Sequence, residues 1–178
     1  MLTQQTVAFK GRTGINQLLY RGPSIEALHQ QYAKRERIDS QAPVTATYEV
    51  EIDAPVRRVW ELLADPMAWP SFAPEVHDVH LDGPVAVDTR FTWANGRAHM
   101  KSRFAVVDPG REITWTGVSS GAKAVHRHLL EVTSDGTTRV RSEESMAGPL
   151  LVLFYGSAKL QAGMESWLNG LKATAERR

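Results

Sequence analysis

The C-terminal stretch P149-LLVLFYGSAKLQAGMESWLNGLKATAER-R178 decides how the rest of the chain is read. Leu150, Leu153, Ser157, Leu160, Met164, Trp167, Leu168 and Leu171 recur at steps of three and four, which predicts one long helix with a single apolar stripe. Gly148-Pro149 marks its start, because proline is tolerated in a first turn and not further in. Gly156, Gly163 and Gly170 fall seven apart and form a seam beside the stripe. Each glycine costs a helix about 1 kcal/mol relative to alanine. Three on one seam point to something packed very close, either the backbone of a sheet or a ligand.

Working outward from this helix, the preceding chain reads as a meander of strands. Segments 75–81, 89–94, 97–107, 112–117, 122–133 and 137–146 are separated by Gly83-Pro84, Asn95-Gly96, Asp108-Pro109-Gly110, a glycine turn near 120 and Ser134-Asp135-Gly136. In 97–107 the residues Ala98, Met100, Ser102, Phe104 and Val106 share one face, and Arg97, His99, Lys101 and Arg103 the other. A further strand, 45–53, comes first. It leads into a short helix with Asp53 as its expected cap and Pro55 in its first turn. Asp65-Pro66 ends that helix. The order is strand, two short helices, six antiparallel strands, long helix. An alternating sheet has one face free to meet water, and the helix must cover the other. The fold class is α+β, a curved antiparallel sheet around the terminal helix.

Residues 1–43 stand apart as an arm. Ser24 is placed to cap a helix from Ile25 to about Arg37, whose basic end suits a helix C-terminus. Three placements are open: across the main domain, across a partner subunit in a homodimer, or as a loosely docked tail.

Composition removes several function classes. The 178 residues carry a net charge of +1 with acids and bases interspersed, so nothing points to nucleic acid. Without cysteine there are no thiol nucleophiles, disulfides or zinc–thiolate sites. No apolar run is long enough for a membrane span, and residues 1–12 lack an apolar signal core, so the expected location is cytoplasmic. Gly117-Val118-Ser119-Ser120-Gly121 matches G-x-S-x-G, but a strand follows where a nucleophile elbow needs a helix. It is read as a hairpin turn.

Several motifs together resemble one family. They are Ile52-Asp53-Ala54-Pro55, Val59-Trp60, Leu62-Leu63, Asp65, Trp69-Pro70 and Phe72, then His126, Leu130-Glu131, Thr138-Arg139-Val140, Glu144 and Gly148. Over Val44 to the C-terminus the chain resembles the SRPBCC, or START-like, superfamily, in particular its polyketide cyclase/dehydrase-like branch. The resemblance implies a helix-grip (START/Bet v 1-like) fold with a hydrophobic cavity between sheet and helix. It also implies a hydrophobic small-molecule ligand. It says nothing about the arm.

The expected inward face holds Trp93, Met100, Phe104, Ile113, Trp115, Leu130 and Val140, with Leu153, Leu160, Met164 and Trp167 from the helix. Trp69 and Phe72 are expected to form a lid at the mouth. As a set these residues suit an apolar or aromatic ligand; singly, each also reads as core filling. His126 and His128 share a strand face, as do Ser142 and Glu144 across the hairpin. With the 134–136 loop at its centre, His126 faces Glu144 and His128 faces Ser142. Two functions use this arrangement. One is cofactor- and metal-free cyclisation, aromatisation or dehydration of a polyketide-like substrate, with His126 as proton shuttle and Glu144 orienting it. The other is non-catalytic carriage of a hydrophobic molecule or lipid. The pair is also readable as structural, and a metal held by His126, His128 and Glu144 is a weaker option.

Overall fold

A computed structural model describes residues 19–177 of the chain. Seven antiparallel strands form one sheet: β1 (Val44–Ile52), β2 (Val76–Leu81), β3 (Arg90–Asn95), β4 (Ala98–Asp108), β5 (Glu112–Ser119), β6 (Ala122–Val132) and β7 (Thr138–Ala147). Their spatial order is β1-β7-β6-β5-β4-β3-β2, so sequential hairpins build the meander and β1 closes onto β7. The turns follow from residue type. Asn95 pairs with Ala98, which leaves Gly96 and Arg97 as a two-residue loop, and Gly96 takes φ 55°. Ser119 pairs with Ala122, and the loop residues Ser120 and Gly121 both have positive φ, 48° and 83°. That is a tight hairpin, as the sequence predicted for the G-x-S-x-G match.

Between β1 and β2 lie helix α1 (Val56–Ala64) and a 3₁₀ turn (Pro66–Ser71). Pro55, not Asp53, occupies the cap position of α1. The Asp53 amide instead donates to Glu176 Oε1 at 2.7 Å, which ties the end of β1 to the C-terminus. Asp65 ends α1 and caps the 3₁₀ turn, its Oδ1 accepting from the Met67 amide at 2.9 Å.

The C-terminal stretch is not one helix. A four-residue helix, α2 (Leu151–Phe154), is followed by extended Tyr155 and Gly156 and then by α3 (Ser157–Ala175). Leu151, Val152 and Tyr155 pack against Val44, Ala46, Leu160 and Met164. This buried side of α2 is rotated off the predicted stripe, and the break lets both helices face the sheet. Leu150 and Leu153 consequently point out, and Phe154 is 78 % exposed. From Leu160 onward the stripe is as predicted: Leu160, Met164, Leu168 and Leu171 are buried. The glycine seam is used at one point only. A Cβ on Gly170 would collide with the Phe72 carbonyl, whereas Gly163 has ordinary clearance and Gly156 has open space.

α3 runs alongside β1. Ser157 Oγ accepts from the Thr45 amide at 3.1 Å near one end, and Lys172 Nζ donates to the Glu51 carbonyl at 2.6 Å near the other. The helix is therefore held along the β1 margin of the concave face. This is the helix-grip arrangement.

The convex face is not left to water. A helical segment, α-helical at Ile25–Ala27, π-helical at Leu28–Tyr32 and 3₁₀ at Ala33–Arg35, packs on it. Ser24 caps it as expected, accepting from the Ala27 amide at 3.1 Å. Leu28 and Ala33 form a small apolar cluster with Ala105 and Val125. Strand β5 is in consequence buried on both faces from Glu112 to Gly117. Residues 1–18 of the expected arm lie outside the described residues.

Candidate functional site

The concave face divides into two regions. At one end Trp69 is the hub of a filled aromatic core. Its ring lies 5.1 Å from each of Trp93, Trp115 and Trp167, and its Nε1–H donates to the Leu63 carbonyl at 2.9 Å. Trp69 has no exposed surface, and Phe72 packs edge-on against Trp167 at 5.0 Å. The expected lid is thus a correction: Pro66 and Pro70 frame a turn that drives Trp69 inward, so both residues are core. Phe104 is likewise core, stacked on Phe91 at 4.4 Å. Met100 is partly buried against the same cluster. Leu153, expected to face inward, is 59 % exposed because α2 is rotated.

Toward the other end small residues, Ala46, Ala124, Gly117 and Ser102, alternate with larger ones on the inward face. The paired row Ala46–Glu144–His126–Trp115 runs beside Val44–Met146–Ala124–Gly117–Ser102. Leu160 and Met164, both buried, face Val44 and Ala46 from α3. Ala124 and Gly117, lying between larger neighbours, make a shallow shelf in the sheet.

His126 stands on this shelf. The register pairs it with Glu144, and His128 with Ser142, as the hairpin centre predicted. His126 Nδ1 lies 3.1 Å from Glu144 Oε2. The two side chains are 17 % and 13 % exposed, so the pair is largely enclosed yet reachable. A carboxylate oxygen beside Nδ1 favours the tautomer with its hydrogen on that nitrogen, which turns the Nε2 lone pair to the open side. The imidazole also stacks on Trp115, with ring centroids 5.3 Å apart, which fixes its plane.

His128 has a different character. It stacks on Trp115 at 4.8 Å, and its Nδ1 is 2.5 Å from Ser142 Oγ. Burial, reinforced by the neighbouring His126, pushes its pKa down from 6.5 to about 3. At neutral pH it is an uncharged, rigid hydrogen-bonding group. Its Nε2 and the indole nitrogens of Trp115 and Trp167 are buried without a hydrogen-bond partner among the described residues. Three such orphans beside one face are unusual, since buried polar atoms are nearly always paired.

Two residues here were not singled out in the sequence. Ser102, 6 % exposed, accepts from Trp93 Nε1 at 3.1 Å. Its position on the inward face of β4 was legible from alternation alone. Tyr155 had no such signal, because it sat inside an apparent continuous helix. The break turns it inward, where its hydroxyl lies 3.7 Å from the Cβ position of Gly163. Burial, and then the charge of Glu144, raises its pKa. Among the described residues no three His, Asp or Glu side chains converge as metal ligands, His126, His128 and Glu144 included.

Comparison with known proteins agrees with this architecture. A hypothetical protein of Helicobacter pylori, jhp0584, superposes with a TM-score of 0.69 at 18 % identity, over 78 % of this chain and 91 % of that one. CalU16 of Micromonospora echinospora gives 0.56 at 18 % identity, over 74 % and 76 %. Truncated norcoclaurine synthase of Thalictrum flavum gives 0.59 at 16 % identity, over 79 % and 100 %. At these identities the likeness is one of fold. No curated protein matches in sequence. The family model for polyketide cyclase / dehydrase and lipid transport matches residues 43–176, which includes every strand and α3, and the chain belongs to that family.

Proposed function

We propose that the protein binds a flat, largely apolar molecule, aromatic or polyketide-like, on the shelf between β5–β7 and α3, and moves protons on it without a cofactor. The observation that carries this is the enclosed His126–Glu144 pair, with Nδ1 tied to the carboxylate and Nε2 left for substrate. Such an imidazole can take a proton from carbon next to a carbonyl and return it elsewhere, as enolisation, aldol ring closure and dehydration require. Trp115 and Met164 supply apolar walls. The family description and the biosynthetic setting of some structural neighbours support the substrate class. One of those neighbours, DynU16, is described as a putative protein in the dynemicin biosynthetic locus.

The test is exchange of the α-hydrogens of 2-tetralone, a bicyclic aromatic ketone, for deuterium in D₂O, followed by NMR. The expected result is exchange above buffer that falls about a hundredfold or more in His126→Ala, the usual size of an acid–base contribution. Binding of 2-tetralone without exchange in the unaltered protein would decide for the carrier, which uses the same shelf without chemistry.

A further inference from the structure

The space in front of His126 Nε2 has a floor, Gly117, and a second polar wall, Ser102. A Cβ placed on Gly117 would meet Ser102 Oγ at 3.2 Å and His126 Nε2 at 3.8 Å. Both atoms therefore converge above a residue that has no side chain to fill the gap. Gly117 does not have positive φ, so no turn geometry requires glycine there. It pairs with Ser102 on one side and Ala124 on the other, in mid-sheet, where glycine weakens a strand and marks close approach by another group.

The hydrogen-bond state of the two walls is set by their partners. Ser102 Oγ accepts from Trp93 Nε1–H, and its own O–H donates to no group among the described residues. It is a donor with 6 % exposure. His126 Nε2, with Nδ1–H held by Glu144, is an acceptor. A donor and an acceptor facing one gap match an atom that both accepts and donates.

We infer that Gly117, Ser102 and His126 form a subsite for a single enol or phenol oxygen of an aromatic ligand, Ser102 donating to it and His126 Nε2 accepting its proton. This rests on the binding shelf proposed above and names the functional group it selects. A carbonyl in the same place would accept from Ser102, while His126 Nε2 takes a proton from the neighbouring α-carbon and returns it to that oxygen, breaking C–H and forming the O–H of the enol. An unoxygenated hydrocarbon leaves the Ser102 donor and the imidazole unpaired, which is the discrimination that buried polar groups enforce.

The probes are 2-naphthol and naphthalene, which share one ring system and differ by one oxygen, with both dissociation constants measured by calorimetry on the full chain. The expected result is a preference for 2-naphthol of about fivefold or more, the equivalent of one net hydrogen bond. In Ser102→Ala the preference falls to near unity. Gly117→Ala, which fills the gap and presses Ser102 Oγ aside by a few tenths of an ångström while keeping both polar groups, also abolishes it. Thermal unfolding of both variants shows whether they are folded. Equal binding of the two probes by the unaltered protein, or a preference that survives both substitutions, overturns the subsite and leaves the shelf standing. Failure of both probes to bind overturns shelf and subsite together.

Discussion

Gly170 and His128 show how much single positions decide. Gly170 lets α3 press against the 3₁₀ turn, and a methyl group there meets the Phe72 carbonyl head-on. Backbone cannot give way as a side chain can, so Gly170→Ala is expected to lower stability by about 1–3 kcal/mol. Gly163→Ala, with only ordinary contact to Tyr155, is expected to raise it by up to about 1 kcal/mol through helix propensity. Thermal unfolding of the two variants measures the contrast, and equal effects would show that the seam is uniform after all. His128 contributes through what it refuses to do. Its folded pKa, about 3, is below the ordinary 6.5, so beneath pH 6.5 the unfolded chain takes up a proton that the folded chain excludes. Stability is full above that pH and falls by about 1.4 kcal/mol per unit as pH drops toward 3. Urea unfolding at pH 7 and pH 5 is expected to show this loss, and His128→Phe to lessen it.

At the scale of elements, the N-terminal segment is the feature least expected from its sequence. It is fastened to the convex face by His29, whose Nδ1 meets Thr116 Oγ1 and whose Nε2 meets Asp88 Oδ1, each at 2.9 Å. Asp88 also receives Lys34 Nζ and Arg103 Nη2, both at 2.7 Å. Burial depresses the His29 pKa, Asp88 opposes this, and Arg103 and Lys34 add to it. With the net shift downward, docking is complete above about pH 6.5 and weakens as the imidazole protonates at lower pH. Hydrogen exchange of amides 25–35 should therefore accelerate from pH 7 to pH 5.5, after correction for intrinsic rates, more than exchange in β5. A charge cluster within the sheet itself, joining β5, β6 and β7, lies beside it. Glu112 is fully buried and receives Arg127 through Nε and Nη2, both at 3.0 Å, while Arg127 Nη1 reaches Glu143 at 3.1 Å. Arg127→Met leaves the buried Glu112 charge with only the Thr114 hydroxyl at 2.8 Å and Arg111 at 3.7 Å, with an expected loss of about 3–5 kcal/mol in chemical denaturation. The additional change Glu112→Gln should recover part of it.

Over the whole molecule, the filled core and the proposed shelf are two ends of one concave face. Trp69, Phe91, Trp93, Phe104 and Trp115 close the end beneath α1 and the 3₁₀ turn. Ala46, Ala124 and Gly117 lie at the end near β1's start. Trp69→Ala is expected to cost about 3–5 kcal/mol, as loss of a buried aromatic does, whereas Ala124→Val should leave thermal stability within about 1–2 kcal/mol and weaken binding of 2-naphthol. The opposite pattern would place the shelf elsewhere.

The fold was legible because its signals are local. Alternation along 97–107, the Asn95-Gly96 turn and the Leu160–Leu171 spacing each depend on a few neighbouring residues. The His126–Glu144 pairing was legible for the same reason, since a short hairpin loop sets its own register. Other features depended on contacts between segments far apart in the chain. The helix break at Tyr155-Gly156 follows from how α2 and α3 each meet β1. Trp69 read as a lid because nothing near it in sequence reveals that three other tryptophans surround it. Residue pattern and turn chemistry determined the sheet, its register and the imidazole–carboxylate pair, because periodicity and hydrogen bonding act along the backbone. Tertiary structure decided which inward residues fill space and which leave it, because packing is settled only when strand, turn and helix compete for the same volume.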